Sequence, residues 1–345
     1  RALHAQGNYP RAATTLHAVL DIRRRVLGED HPDTLTTRHN LALVWHDQGD
    51  YQRAAAEYQA VLDLRRGVLG EDHPDTLRTR HSLALVWRDQ GDYQRAAAEF
   101  RAVLDLRRRV LGEDHPDTLR TRHNLARVWH DQGDRQRAAA EYQAVLDLRR
   151  RVLGEDHPDT LGTRHNLAGV WYDQGDRQRA AAEYQAVLDL RRPIFGEDHP
   201  DTLGTRHNLA VVWHDQGDYQ RAAAEYQAVL DLQRPIFGED HPDTLRTRHN
   251  LALVWHDQGD YQRAAAEHQA VLDLLRPIFG DDHPETLTTR SGLAGVWHDQ
   301  GDYQRAAAEY QAVLDLRRRV LGEDHPDTLR ARHNLDHIRK TESSL

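Results

Sequence analysis

HPDTLTTRHNLALVWHDQGDYQRAAAEYQAVLDLRRGVLGED, residues 31–72, is one period of a pattern that occupies the whole chain. The string His-Pro-Asp/Glu-Thr-Leu begins at His31, His73, His115, His157, His199, His241, His283 and His325, always 42 residues apart. Residues 31–324 hold seven complete repeats, 1–30 match the later part of one, and 325–345 match the first half of another. The copies beginning at His199 and His241 agree at 37 of 42 positions. Nothing in the composition marks a linker. One array over residues 1–345 is therefore expected, each unit packing on its neighbours.

Taking His31 as position 1, each repeat reads as two helices. Asp30, Pro32 and Asp33 resemble the start of a helix, with a capping acid and a proline in the first turn. Leu35, Leu41, Ala42, Val44 and Trp45 recur at helical spacing as far as Gln48. Gly49 suits a C-terminal cap and Asp50 the N-cap of the second helix. That helix carries Tyr51, Ala54, Ala55, Tyr58, Val61, Leu62 and Leu64 and ends near Gly70. A helix pair of this size cannot bury both apolar faces alone, so stacking is required. At one end Leu3 stands at the Trp position, as in an array cut inside a first helix. At the other, Asp336 and Arg339 replace the Ala and Trp columns, as a polar capping helix over 325–345 requires.

The stretch NLA at 40–42, Trp45, QGDYQRA at 48–54 and Tyr58 resembles a tetratricopeptide repeat. The 42-residue period and the joint LGEDHPDTL at 69–77 are similar to the long variant found in kinesin light chains and bacterial repeat proteins. Ala42 departs from the glycine common at its position, and Val61 from the usual small residue. The resemblance covers essentially the whole chain. It implies an all-α, right-handed solenoid whose first helices line a concave groove that binds peptides or proteins. It does not extend to kinesin itself, since no cargo-adaptor or heavy-chain-binding segment is present.

The chain has 345 residues, no Cys, no Met, a net charge of −9 and a single lysine, Lys340, among 46 basic residues. Without Cys there is no disulfide, thiolate nucleophile or thiolate metal site. The negative charge argues against a nucleic-acid partner. No apolar run approaches the roughly 20 residues of a membrane span, and a cytoplasmic location is expected. There is no GxSxG, dinucleotide loop or GxxxxGK(S/T), so neither catalytic residues nor cofactors are assigned and no enzyme is expected.

Comparison of the copies isolates the candidate binding residues. Position 6 is Thr36, Arg78, Arg120, Gly162, Gly204, Arg246 and Thr288. Position 13 is Leu43, Leu85, Arg127, Gly169, Val211, Leu253 and Gly295. Position 16 is His46, Arg88, His130, Tyr172, His214, His256 and His298. Position 9 is His39, His81, His123, His165, His207 and His249, with Ser291 the exception. These positions form one helical stripe, centred about 115° from the apolar face at 100° per residue. By the resemblance that side faces the groove. Leu and Val offer apolar contact, Arg a bidentate grip on carboxylates, and Gly a pit for a ligand side chain. Second-helix positions Gln52, Arg53 and Glu57, read as exposed, are uniform in all full copies, which argues against drift as the source of the variation, whereas Tyr51 against Arg135 and Arg65 against Leu275 do vary and keep drift open. The expected partner is a protein or peptide, with acidic groups suited to the Arg positions.

Other features carry blander readings. His39 and His46 are two turns apart, roughly 10 Å, too far to share an ion, so no metal site is assigned. The stripe histidines are expected to gain charge below about pH 6.5 and tighten an acidic ligand. The Asn column (Asn40, Asn124, Asn166, Asn208, Asn250) is either structural or, by resemblance, a clamp on ligand backbone. Arg clusters at 23–25, 107–109, 149–151 and 317–319 are expected as solvated faces at helix C-termini. Pro193, Pro235 and Pro277 are expected to end or bend their helices early. Two rival functions stand beside the scaffold: a sensor arm of a larger signalling ATPase, and a module that self-associates end to end through an open N-terminal repeat.

Overall fold

The computed structural model describes residues 9–323 and 325–342, so Leu3 and the open N-terminal face lie outside the described residues. Every regular element among these residues is an α-helix. The truncated repeat contributes α1 (Tyr9–Leu27). First helices follow as α2 (Pro32–Asp47), α4 (Pro74–Asp89), α6 (Pro116–Asp131), α8 (Pro158–Asp173), α10 (Pro200–Asp215), α12 (Pro242–Asp257) and α14 (Pro284–Asp299). They alternate with second helices α3 (Tyr51–Leu69), α5 (Tyr93–Leu111), α7 (Arg135–Leu153), α9 (Arg177–Phe195), α11 (Tyr219–Phe237), α13 (Tyr261–Phe279) and α15 (Tyr303–Leu321), after which comes α16 (Pro326–Glu342). Contacts gather these helices into two compact units, one up to Gly175 and one from Asp176. Within each unit every helix packs on the next, and a first helix also touches the first helix of the following repeat, as α4 touches α6 and α12 touches α14.

The repeat boundary is set by proline. Pro32 disfavours helical backbone in the residue before it, so His31 is held extended at ψ 136° and becomes the N-cap. Its Nδ1 accepts the Asp33 N–H at 3.2 Å. The cap expected at Asp30 is thus supplied by the His of the motif, in every first helix from α2 to α14. The helix stops at Asp47. Gly49 takes φ +79°, which only glycine adopts cheaply, and the Asp50 N–H turns back to Trp45 O at 2.9 Å. Asp50 then caps the second helix through the Arg53 N–H at 3.2 Å.

Each repeat buries Leu35, Leu41, Ala42 and Val44 of its first helix against Tyr58, Val61 and Leu62 of its second. At roughly 1.5–3 kcal/mol for each large apolar side chain, this is the main stabilising contribution. The Trp45 ring is covered by the Arg53 guanidinium 3.9 Å away. Arg38 is 9% exposed and pairs with Glu57 at 2.5 Å and with Glu29 of the preceding joint at 3.6 Å. Arg53 and Glu57 are therefore constant because they hold the repeat together. Of the three control positions, only Gln52 is a plain solvent position.

The prolines do not shorten their helices. Helices α9, α11 and α13 are as long as the rest, with Pro193, Pro235 and Pro277 inside them. Each proline lies two residues from the helix end, so a single terminal donor is lost, and the final Gly196 N–H still reaches Arg192 O at 3.0 Å. The accompanying phenylalanine closes the joint instead: Phe195 stacks on His199 at 4.7 Å, and Phe237 and Phe279 do the same on His241 and His283. In α16, Ala331, Leu335 and Ile338 cover the Tyr310 and Leu314 surface of α15, while Asp336 and Arg339 are exposed.

Candidate functional site

The candidate stripe separates into open and closed rows. Positions 6 and 13 are open. Arg120, Arg127, Arg246 and Thr288 are exposed, and Thr36, Leu43, Arg78, Leu85, Gly162, Gly169, Gly204, Val211, Leu253 and Gly295 are half-buried. Arg78, Arg120 and Arg246 lean on the Asp three residues earlier, at 2.9, 2.7 and 2.9 Å. A Cβ at Gly162 or Gly204 would meet nothing within 4 Å, so both leave real gaps. Gly295 differs: the Tyr310 hydroxyl would lie 3.3 Å from a Cβ there.

Position 9 is closed. His39, His81 and His207 are buried and His123, His165 and His249 half-buried, which corrects the expectation of an exposed row. The cause is the next repeat. The His81 Nε2 faces the Asn124 amide at 2.9 Å, and its Nδ1 faces the Thr121 hydroxyl at 3.4 Å, while its ring lies edge-on to Phe100 at 5.1 Å. The Thr121 hydroxyl donates to Asp117 O, and the Arg107 guanidinium also lies 3.4 Å from the His81 Nδ1. The same arrangement joins His123 to Asn166 and His207 to Asn250. The amides of Asn124, Asn166 and Asn250 are thereby engaged by their neighbours, the structural alternative for that column. Burial, with nearby arginines adding to it, pushes His39 and His123 down to about 3 and His81 well below its ordinary value. His39, His81 and His123 therefore give the groove no positive charge in the mildly acidic range.

Position 16 forms a ladder with position 17 of the next repeat. His46 Nε2 meets Asp89 at 2.7 Å, His130 meets Asp173 at 2.6 Å, and His214 and His256 meet Asp257 and Asp299 at 2.7 Å. Arg88 is buried and bonds Asp89 at 2.5 Å. His298 turns to its own Asp299 at 2.7 Å, and Tyr172 is half-buried. Burial works to raise the Asp89 carboxyl, but the bonds from His46 and Arg88 outweigh it and hold it low.

The structural role of one varying column was not read from the sequence. Arg65, at position 35, is 1% exposed. Its guanidinium donates to Asp75 O at 2.9 Å and to the Thr79 hydroxyl at 2.7 Å, bolting one repeat to the next. Arg107, Arg149 and Arg191 make the same pair of bonds. Desolvation lowers Arg65 and Arg107 to about 10. The Arg clusters are thus not wholly solvated: Arg107, Arg149 and Arg317 are buried, whereas Arg108 and Arg150 pair outward with Glu113 and Glu155. The register carried the signal, since position 35 lies four residues from Val61 and seven from Tyr58, on the buried face.

Tetratricopeptide repeat family profiles match residues 1–59, 39–108, 161–227 and 202–274, and a second such profile matches 118–159 and 286–327. The chain belongs to the tetratricopeptide repeat family. Among solved tetratricopeptide structures, it is similar to a kinesin-light-chain-type protein of nearly identical repeats from Podosopora anserina. That match has 27% identity and a TM-score of 0.52, and covers 60% of this chain and 97% of that one. It is similar in fold to the apo quorum sensor NprR of B. thuringiensis, at 16% identity and TM-score 0.68, covering 89% of this chain and 83% of that one. A STAND protein with a tetratricopeptide repeat sensor from Pyrococcus horikoshii gives 11% identity and TM-score 0.58, over 90% of this chain and 44% of that one. No curated protein matches by sequence. Among the described residues of this tetratricopeptide array, no group of three His, Asp or Glu side chains is placed to hold a metal ion. No helix among them is long and apolar enough to cross a membrane.

Proposed function

We infer that this tetratricopeptide array is a protein- or peptide-binding scaffold whose ligand lies across positions 6 and 13 of the first helices. One observation carries the reading. No residue of these two rows is buried and they differ from copy to copy, while most side chains of the rows beside them are bonded across joints, positions 9 and 16 to the next repeat and position 10 to the preceding one. In the unit up to Gly175 the open rows hold Arg78, Arg120 and Arg127, which suits acidic groups on the ligand. Both units also hold apolar residues in these rows, Leu43 and Leu85 in the first and Val211 and Leu253 beside Arg246 in the second, which suits apolar groups. Similar folds that serve as sensors support ligand binding by such stacks and are equally compatible with a sensor arm of a larger protein.

The test is a peptide-library selection on the whole chain, followed by exchange of Leu43, Arg127 and Gly169 for residues of other copies. The expected result is an affinity change of tenfold or more at unchanged melting temperature. Failure to retain any peptide, or parallel loss of affinity and stability, would overturn the reading.

A further inference from the structure

Position 35 is arginine in five of the seven complete repeats, but Gln233 and Leu275 break the column. At the Leu275 joint the arginine is not replaced by an equal volume. A cavity of about 330 Å³ opens between α12 and α14. Its base is the buried trio Leu245, Val271 and Leu275. Its mouth carries Arg246, Glu285 and Thr288, all exposed, on the side where positions 6 of the two helices lie.

The other joints show what this slot is shaped to hold. At the joints of Arg23, Arg65, Arg107, Arg149 and Arg191, a guanidinium reaches the carbonyl at position 3 and the threonine hydroxyl at position 7 of the next repeat, as Arg191 reaches Asp201 O at 2.7 Å and the Thr205 hydroxyl at 2.5 Å. The equivalent acceptors here are Glu285 O and the Thr289 hydroxyl, and both residues line the cavity. Leu275 cannot donate to either. The chain departs a second time at the same place: position 3 is Asp in every other copy and Glu285 here, a longer carboxylate at the mouth of the emptied slot. The one cation at the mouth, Arg246, is tied to Asp243 at 2.9 Å. Its presence does not bar a second guanidinium, since Arg65 already sits with Arg78 close by.

We propose that the Leu275 cavity is a docking slot for an arginine side chain of the bound peptide. The aliphatic stem lies over Leu245 and Leu275, and the guanidinium takes the place that the chain's own arginine fills elsewhere, bonded to Glu285 O and Thr289 and facing the Glu285 carboxylate. The slot rests on the peptide-groove reading and gives that groove a fixed register point, because only this joint lacks both the arginine and the Asp.

Two measurements separate the slot from the groove. First, n-butylguanidinium is titrated against the whole chain while the methyl resonances of Leu245, Val271 and Leu275 are followed by NMR. Saturable shifts in the millimolar range are expected, at least threefold weaker for Glu285→Gln, and lost in Leu275→Arg, which should melt at or above the parent temperature because it refills the slot from within. The neutral n-pentanol should bind several-fold more weakly. Equal binding of n-pentanol, or no methyl shifts at all, overturns the proposal whatever peptides do. Second, a peptide retained on the groove is tested with its arginine changed to norleucine, and against Leu275→Arg. Each change is expected to cost about tenfold, with no further loss when both are made. If Leu275→Arg leaves peptide affinity intact, the slot fails and the groove reading stands; if butylguanidinium binds and no peptide does, the groove reading fails and the slot stands only as a guanidinium site, its peptide role overturned.

Discussion

The joint between α4 and α6 and the joint between α12 and α14 occupy the same place in near-identical repeats, yet they are built from different chemistry. In the first, Arg107, His81, Thr121 and Asn124 complete one another's hydrogen bonds across the boundary. In the second, Leu275 replaces the arginine, His268 replaces the aromatic ring at position 28, and Ser291 and Gly292 replace the His and Asn at positions 9 and 10. His268 is fully buried with both ring nitrogens unbonded, and a Cβ on Gly292 would lie 3.0 Å from its ring. The helices nonetheless keep the same lengths and caps. What the comparison teaches is that the fold is fixed by the apolar faces and turns, whereas the polar filling of a joint can be exchanged for a cavity.

The largest effect expected from this chemistry is on acid stability. His39, His123, His207 and His268 are held down to about 3, chiefly by burial, and His249 to about 4. An unfolded chain takes up protons on these groups below about pH 6.5 while the folded one does not. Stability should therefore be full above pH 6.5 and fall as the pH drops toward 3, by about 1.4 kcal/mol per pH unit for each such histidine. Thermal melts followed by circular dichroism between pH 7.5 and 4 would show this. A flat melting temperature across that range would mean the imidazoles are not buried as described.

A smaller effect comes from copying one joint onto the other. Arg107→Leu leaves Asp117 O and the Thr121 hydroxyl without their guanidinium and should cost about 2 kcal/mol in urea unfolding. A cost near zero would show that the buried arginines fill space and do not bond. The smallest contrast is at the imidazoles. His268→Phe removes two unbonded nitrogens and should gain about 1 kcal/mol, whereas His81→Phe strands Asn124 and should lose a similar amount. If both variants shift in the same direction, hydrogen bonding does not distinguish the joints.

Much of this was legible in one repeat. The period, the Gly49-Asp50 turn and the apolar register of Leu35, Leu41 and Val44 declare the helix pair without a structure. The helix start was displaced by one residue because the constraint of Pro32 on His31 competes with the capping habit of Asp30. The open rows at 6 and 13 were visible as variable columns. Position 9 was misjudged, because a helical wheel of one repeat has no neighbour: the next first helix, lying against this one, buries His81 beneath Asn124. Position 35 was obscured for the opposite reason, since an arginine in a run of three arginines reads as solvent-facing until the buried register of Tyr58 and Val61 is extended to it.

The bonds that cross a well-filled joint have one half in each of two successive copies: His81 and Arg107 come from one, Thr121 and Asn124 from the next. A whole 42-residue period inserted or deleted among such copies re-creates the same pairs at the new seam. The array can thus change length by recombination without orphaning a donor. The Leu275 seam lacks that freedom, since its leucine belongs to one copy and Glu285 and Gly292 to the following one, and a crossover there would part them. Length is free to evolve on either side of this point, while the point itself is inherited as a pair.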